Sequence, residues 1–292
     1  MADPFQEGLA SGSFQVVTRL VPPKSADLAS VLTLASSWKG KVAAVLVADN
    51  PSAVMGLSAL VLAEMLKREG HDAILVMSCR DRNRLDLGSI ALGASAVSVS
   101  SILCVSGDYT HYGDHPDAKP VYDLDSVQLI AMLHEMGKGR DIAGNPVAVS
   151  QPYFIGAAVC ATADPLFPQL MKVRKKVSAG ADFFVTLPIF TVDQLGPFLD
   201  GVKDLPLKVL AGVLLPSYQE IAEYRDGSIP GTFIPDDLVN AWREGGEQAF
   251  SASSANHVKK LVSDLRNSGK VAGVCINASP GREPEIEGLL RA

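Results

Sequence analysis

This chain is short of the features that mark several functional classes. Its four cysteines, Cys79, Cys104, Cys160 and Cys275, stand far apart and form no C-x2-C pair, the usual spacing of a zinc or redox site. Each lies in or beside an apolar run, so all four read as small buried hydrophobes in a reducing cytoplasm. Clustered cations are scarce. The longest basic run is Lys172–Lys176, which reads first as a solvated helix face, and the net charge is −6. Contact along a nucleic-acid backbone needs the opposite balance. No window approaches the ~18 uninterrupted apolar residues of a membrane span. The nearest, Leu57–Leu66, contains Glu64 and runs into Lys67 and Arg68. The N-terminal residues lack the charged-then-apolar order of an export signal. No Gly-x-Gly-x-x-Gly turn follows the first strand, which removes the main mark of a Rossmann fold. Neither nucleic acid nor a membrane is an expected partner, and a cytoplasmic location is expected.

What is present is alternation. The 292 residues, 47% hydrophobic and 20% charged, suffice for one large globular core. Strand-like runs are expected at Val16–Val21, Val42–Val47, Ala73–Cys79, Ile102–Val105, Pro152–Val159, Asp182–Ile189, Lys208–Leu215 and Val271–Asn277. Continuous apolar runs of this length suit parallel strands buried on both faces. Helical spacing falls between them, at Ser25–Trp38, Val54–Glu69, Leu85–Ala96, Ser126–Met136, Pro165–Ala179, Val192–Val202, Gln219–Tyr224, Pro235–Trp242 and Ala255–Asn267. Eight β–α pairs with no composition break predict a single (β/α)8 TIM barrel over residues 1–292. The Gly- and Pro-bearing segment Arg225–Ser251 reads as a short helical insertion before the last strand.

In such a barrel the strand ends carry the chemistry. Ser106-Gly107-Asp108 closes the fourth strand, where Gly107 lets the backbone approach a ligand and Asp108 offers a carboxylate. Asp108 is equally well read as a cap of the next loop. Tyr109–Val121 is too polar to pack and has the length of a ligand-covering loop. His111 and His115, beside Asp114 and Asp117, are a weak metal pattern, and no metal is expected. Asp125 or Ser126 suits a helix N-cap. Arg80, Asp81, Arg82, Asn83 and Arg84 fit either an anion contact or a helix start with internal ion pairs. Lys176 reaches the mouth only if its helix begins near the rim.

Together these segments resemble the methylenetetrahydrofolate reductase family. The matching residues are Pro22-Pro23-Lys24, Asp49-Asn50, Ser78 to Arg84, Leu92-Gly93-Ala94, Ser106-Gly107-Asp108 and Lys119–Ser126. They continue with Gly156–Val159, Lys175–Phe184 and Pro280–Glu283, in order, over about 260 residues. The resemblance implies non-covalent FAD at the C-terminal mouth and reduction of 5,10-methylenetetrahydrofolate to 5-methyltetrahydrofolate, a step of one-carbon metabolism that serves methionine biosynthesis. The folate is the implied substrate, NAD(P)H or a protein electron donor the implied reductant, with a possible partner subunit and a homo-oligomer. Residue by residue, Ser106, Gly107 and Asp108 match a flavin-contacting segment. Asp108 also matches the catalytic carboxylate that holds the pterin. Asp81 lies in the strand-three signature, Pro120, Val121 and Tyr122 on the adenosine side, and Lys176 at a flavin phosphate.

Two positions depart from the family. Arg19 stands where the family carries an acidic Glu that opens the methylene bridge, and Leu187 stands where many members carry a folate-contacting Gln. Leucine cannot make that amide hydrogen bond. A general acid is worth ~10²–10⁴ in rate. Three readings therefore remain: a folate reductase, a flavin oxidoreductase of the same fold acting on another substrate, and a non-catalytic barrel subunit.

Overall fold

A computed structural model gives the architecture, and the structure describes residues 3–225 and 233–290. Eight strands close into a barrel in sequence order, each parallel to its neighbours. They are β1 Gln15–Leu20, β2 Ala44–Val47, β3 Ala73–Ser78, β4 Ser101–Val105, β5 Phe154–Val159, β6 Phe183–Ile189, β7 Val209–Leu215 and β8 Gly273–Ala278. The helices are α1 Pro4–Ser11, α2 Ala29–Ser37, α3 Ala59–Arg68, α4 Arg84–Ala96, α5 Ser126–Gly137, α6 Phe167–Ala179, α7 Gly196–Gly201, α8 Glu220–Arg225, α9 Asp236–Ser268 and α10 Ile286–Leu290. The expected (β/α)8 class is the observed one.

Alternation along the strands sorts the core into two shells. Val17, Ala44, Leu46, Ile74, Val76, Leu103, Phe183, Val185, Leu210 and Cys275 fill the barrel interior. Their neighbours Val45, Val47, Leu75, Met77, Ile102 and Cys104 face outward, against Leu62, Leu66, Leu129 and Leu133 of the helices. Strands β2, β3 and β7 are buried at every position, the reason their sequences are apolar runs, with Ser78 at the end of β3 the one polar side chain in them.

The sequence pattern missed α1, and α1 decides which end of the barrel is open. Its Phe5 is fully buried and meets the rings of Phe154 and Phe183 edge-on, at 6.0 and 5.5 Å between centroids. Lys67 ties the same end together, 2.9 Å from Asp3 and 3.3 Å from Asp72, while Ser100 donates to Asp3. The N-terminal mouth is plugged, so ligands have the C-terminal mouth.

Three helix expectations change. Residues 54–58 are not helical: Asn50, Ser52 and Ala53 turn the chain at positive φ (42°, 54° and 58°). The following N–H groups are taken by neighbouring loops, Met55 by Asp114, Gly56 by Asn50 and Leu57 by Pro23. Val192–Val202 divides into a 3₁₀ turn, Val192–Leu195, and α7. The two helices expected at Pro235–Trp242 and Ala255–Asn267 are the two halves of α9, each longer than expected and separated by the non-helical Gly246 (φ 66°, ψ −178°). The expected insertion is thus mostly the first half of α9, and its residues 226–232 lie outside the described residues. No helix among the described residues is long and apolar enough to cross a membrane.

Candidate active site at the C-terminal mouth

Asp81, Gly107, Asp108 and Tyr122 converge on Arg80. The Arg80 side chain is 2% exposed, and its guanidinium grips Asp81 with two 2.7 Å hydrogen bonds. It also donates to the carbonyls of Asp108 (3.2 Å) and Asn50 (3.1 Å). Burial works to raise the Asp81 pKa, but Arg80, Asn50 and Arg82 hold it below the ordinary value. The Val121 N–H donates to the Arg80 carbonyl at 2.7 Å, and the Tyr122 hydroxyl donates to the Asp108 carbonyl at 3.3 Å. Pro120–Tyr122 is therefore strapped across the ends of β3 and β4. Asp108 itself is exposed, and its carboxylate accepts the Ser52 N–H at 2.9 Å.

The arginine cluster follows the ion-pair reading rather than the anion contact. Arg82 makes a two-pronged contact with Asp49, at 2.5 and 3.0 Å. Arg84 does the same with Asp123, whose pKa it pulls down to about 2. Asn83 caps α4. These partners arrive from other strand ends, which is why the local sequence left the choice open. Gly107 also has a packing role that the sequence did not show. At φ 91°, a Cβ there would lie 2.3 Å from the Ser78 Oγ and 2.8 Å from the Arg80 Cβ. The missing side chain lets β4 close on β3, so the glycine serves the packing of the rim.

A cavity of about 390 Å³ opens beside this rim, with Ser106, Lys176 and Leu187 in its lining. Lysines Lys172, Lys175 and Lys176 share it with the start of α5 at Ser126 and Val127. The spacing of 172, 175 and 176 puts the three on one helix face; Lys172 and Lys175 are exposed, as the solvated-face reading expected, and only Lys176 is buried. Only Arg174 turns away, to Asp204. Lys176 is 9% exposed and donates 2.7 Å to the Ala158 carbonyl. Burial, with Lys172 acting in the same sense, holds its pKa below the ordinary lysine value. It sits in the last turn of α6, yet helical side chains lean toward the helix N-terminus, here the mouth. Cys160 also lines this cavity and is half-buried, unlike the three fully buried cysteines. Asp125 brings a carboxylate to the cavity, engaged by the Gln128 N–H in a capping box. Leu187 is 41% exposed at the cavity edge, where β6 slips register between Val185 and Pro188.

The long loop after β4 is pinned in place. Asp114 pairs with Lys24 and accepts the Met55 N–H, with His115 3.0 Å away. His111 stacks on Tyr109 and meets Tyr112 at a tilt, the three rings forming one cluster. With this geometry, the methylenetetrahydrofolate reductase profile matches residues 5–281. The chain belongs to that family.

Within the methylenetetrahydrofolate reductase family, a "probable methylenetetrahydrofolate reductase (NADPH)" of Caenorhabditis elegans is 27% identical over 192 residues. That alignment covers 62% of this chain and 26% of the relative, so the chain spans about a quarter of its length. Among solved structures, an uncharacterized Clostridium thermocellum protein that binds two copies of 5-methyl-5,6,7,8-tetrahydrofolic acid shares the fold. Its TM-score is 0.65 at 14% identity, over 98% of this chain and 96% of that one. A 2,3-dimethylmalate lyase matches the fold more loosely, with a TM-score of 0.52 at 12% identity over 100% and 86%. The folate-reductase family thus provides the frame for the mouth. Sequence reasoning gives no role in it to Ser52 or Gln169, has Asn50 and Lys175 only as family matches, and reads Lys172 and Lys175 as solvated surface. The i, i+3, i+4 lysine spacing was the available signal.

Proposed function

We propose that this chain is a flavin-dependent oxidoreductase that reduces 5,10-methylenetetrahydrofolate to 5-methyltetrahydrofolate. Electrons come from NAD(P)H or a protein donor, with a partner subunit as one route. The observation that carries the reading is the lysine-lined cavity continuous with the Ser106-Gly107-Asp108 rim, in a chain of this family. Three ammonium groups and a helix N-terminus suit a diphosphate. The residues present therefore fit a dinucleotide cofactor such as FAD.

Lys172, Lys175 and Lys176 would hold its phosphates, and Pro120–Tyr122 would border its far end. Bound FAD supplies hydride transfer between donor and folate. The chain's own contribution is position and charge. Asp108 presents an acceptor to the pterin N–H groups and keeps negative charge beside the reacting ring. The plugged lower barrel excludes bulk water from below. Leu187 contributes an apolar contact where an amide would discriminate. The C. thermocellum fold neighbour binds the product of this reaction, which makes 5-methyltetrahydrofolate the first ligand to try.

The test is reconstitution with FAD. A yellow protein bleached by 5-methyltetrahydrofolate supports the reading, and assays with NADH, NADPH and a reduced ferredoxin-like donor identify the reductant. Arg19 favours one second reading: the same flavin chemistry on another substrate. Yellow protein indifferent to folates would select it.

Asp108→Ala is expected to slow folate-dependent flavin reoxidation at least tenfold, an ordinary size for an electrostatic contact in a reacting site. Asp108→Asn keeps an acceptor for the Ser52 N–H while removing the charge. A rapid-mixing measurement showing Asn at wild-type speed and Ala slow would move Asp108 from chemistry to loop anchoring.

A further inference from the structure

Arg19 is a cation left without a partner in the mouth. It stands two residues beyond Val17 on β1, so alternation turns it toward the barrel interior. Its charge bears on the inward Cys275 thiol, and one step beyond the Thr18–Ile276 pair the β1–β8 register, continued, sets Asn277 next to it. By the same alternation Ala48, Ser78, Ala158 and Asn277 face the mouth, and none carries a charge. The carboxylates of the rim are already engaged: Asp49 by Arg82, Asp81 by Arg80, Asp123 by Arg84, Asp114 by Lys24 and Asp108 by the Ser52 N–H. Arg19 is half-buried and makes no hydrogen bond or ion pair with any described residue.

A guanidinium stays protonated at any physiological pH, so it cannot donate the proton that a carboxylic acid would. What it offers is a flat fork of donors matched to a planar anion. A half-buried charge without a partner is also unfavourable until one arrives. We propose that Arg19 binds a planar, delocalised anion on the ligand that fills the mouth, either a carboxylate of the substrate or the imide edge that becomes anionic when a flavin ring is reduced. Charge at this position then selects against a cationic ligand group and in favour of an anionic one. The choice of probes below rests on the folate-reductase reading; the anion site does not.

Arginine-selective modification with phenylglyoxal, mapped by mass spectrometry, tests the proposal. In the ligand-free chain, Arg19 should react at least tenfold faster than the buried and paired Arg80 and Arg282. Saturating ligand should slow Arg19 at least tenfold. Protection by 5-methyltetrahydrofolate and by glutarate, but not by 5-methyltetrahydropterin, identifies the carboxylate. Protection by FAD only after dithionite reduction identifies the flavin edge. Arg19→Gln should weaken the protecting ligand tenfold by calorimetry, and Arg19→Lys should restore part of the loss. Equal protection by methyltetrahydropterin and oxidised FAD is mere shielding and overturns the proposal, as does no protection by any probe. Protection by glutarate in a chain that binds neither FAD nor folate keeps the anion site and rejects the folate reading.

Discussion

Lys176→Met is expected to weaken FAD binding at least about thirtyfold while making the ligand-free chain more stable. The first effect follows from geometry: the buried ammonium has one neutral partner, the Ala158 carbonyl, and lies in the wall of the basic cavity. Losing a charge-assisted contact to a phosphate costs about 2 kcal/mol or more, and each 1.4 kcal/mol is tenfold. The second effect has the opposite sign because a buried ammonium without a counter-ion is a cost to folding that a methionine of similar length avoids. The pH dependence checks the cause. Burial lowers the Lys176 pKa, so between that lowered value and the ordinary 10.5 the unfolded chain binds a proton that the folded chain does not. Stability from this group therefore rises with pH across that window. Urea midpoints of wild type and variant should accordingly converge as pH climbs toward 10.5. A variant that is less stable at pH 7 and binds FAD normally would place Lys176 in the scaffold alone.

That prediction depends on something only half legible in the chain. The (β/α)8 barrel was readable because strands such as β2 and β7 carry no polar side chain and β3 only Ser78 at its end, and a run buried on both faces has little polar interruption to obscure it. Lys172, Lys175 and Lys176 have helical spacing in the sequence, but which way that face turns depends on how α6 lies against β5. The arginines of residues 80–84 were ambiguous for a related reason. Arg82 finds Asp49 and Arg84 finds Asp123 only after separate strand ends have been brought together. α1 was missed because eight residues carry little periodic signal, and Phe5 acquires its role only when Phe154 and Phe183 face it inside a closed barrel. Residues 54–58 have a helix-like pattern, but their N–H groups bond to Asp114, Asn50 and Pro23 instead. In each case the information lies in pairings between distant segments.

Gly107→Ala is expected to cost about 3 kcal/mol of stability and to disorder the rim with it. Two effects add. An alanine at φ 91° is strained by about 1–2 kcal/mol. Its Cβ would also sit 2.3 Å from the Ser78 Oγ and 2.8 Å from the Arg80 Cβ, both in buried residues with little room to yield. Overpacking of this kind costs about 1–3 kcal/mol. Gly12 isolates the first effect, since it has φ 78° and nothing within 4 Å of an added Cβ. Gly12→Ala should therefore lose only the backbone part, about 1–2 kcal/mol. Denaturant midpoints of the two variants, compared at one pH, separate strain from crowding. Equal losses would mean that Ser78 and Arg80 relax without cost. If crowding dominates, the displaced Arg80 loosens its hold on Asp81 and on the Asp108 carbonyl, and ligand affinity falls together with stability. The glycine would then matter to the site through the packing of β4 on β3, whatever contact its backbone makes with a ligand.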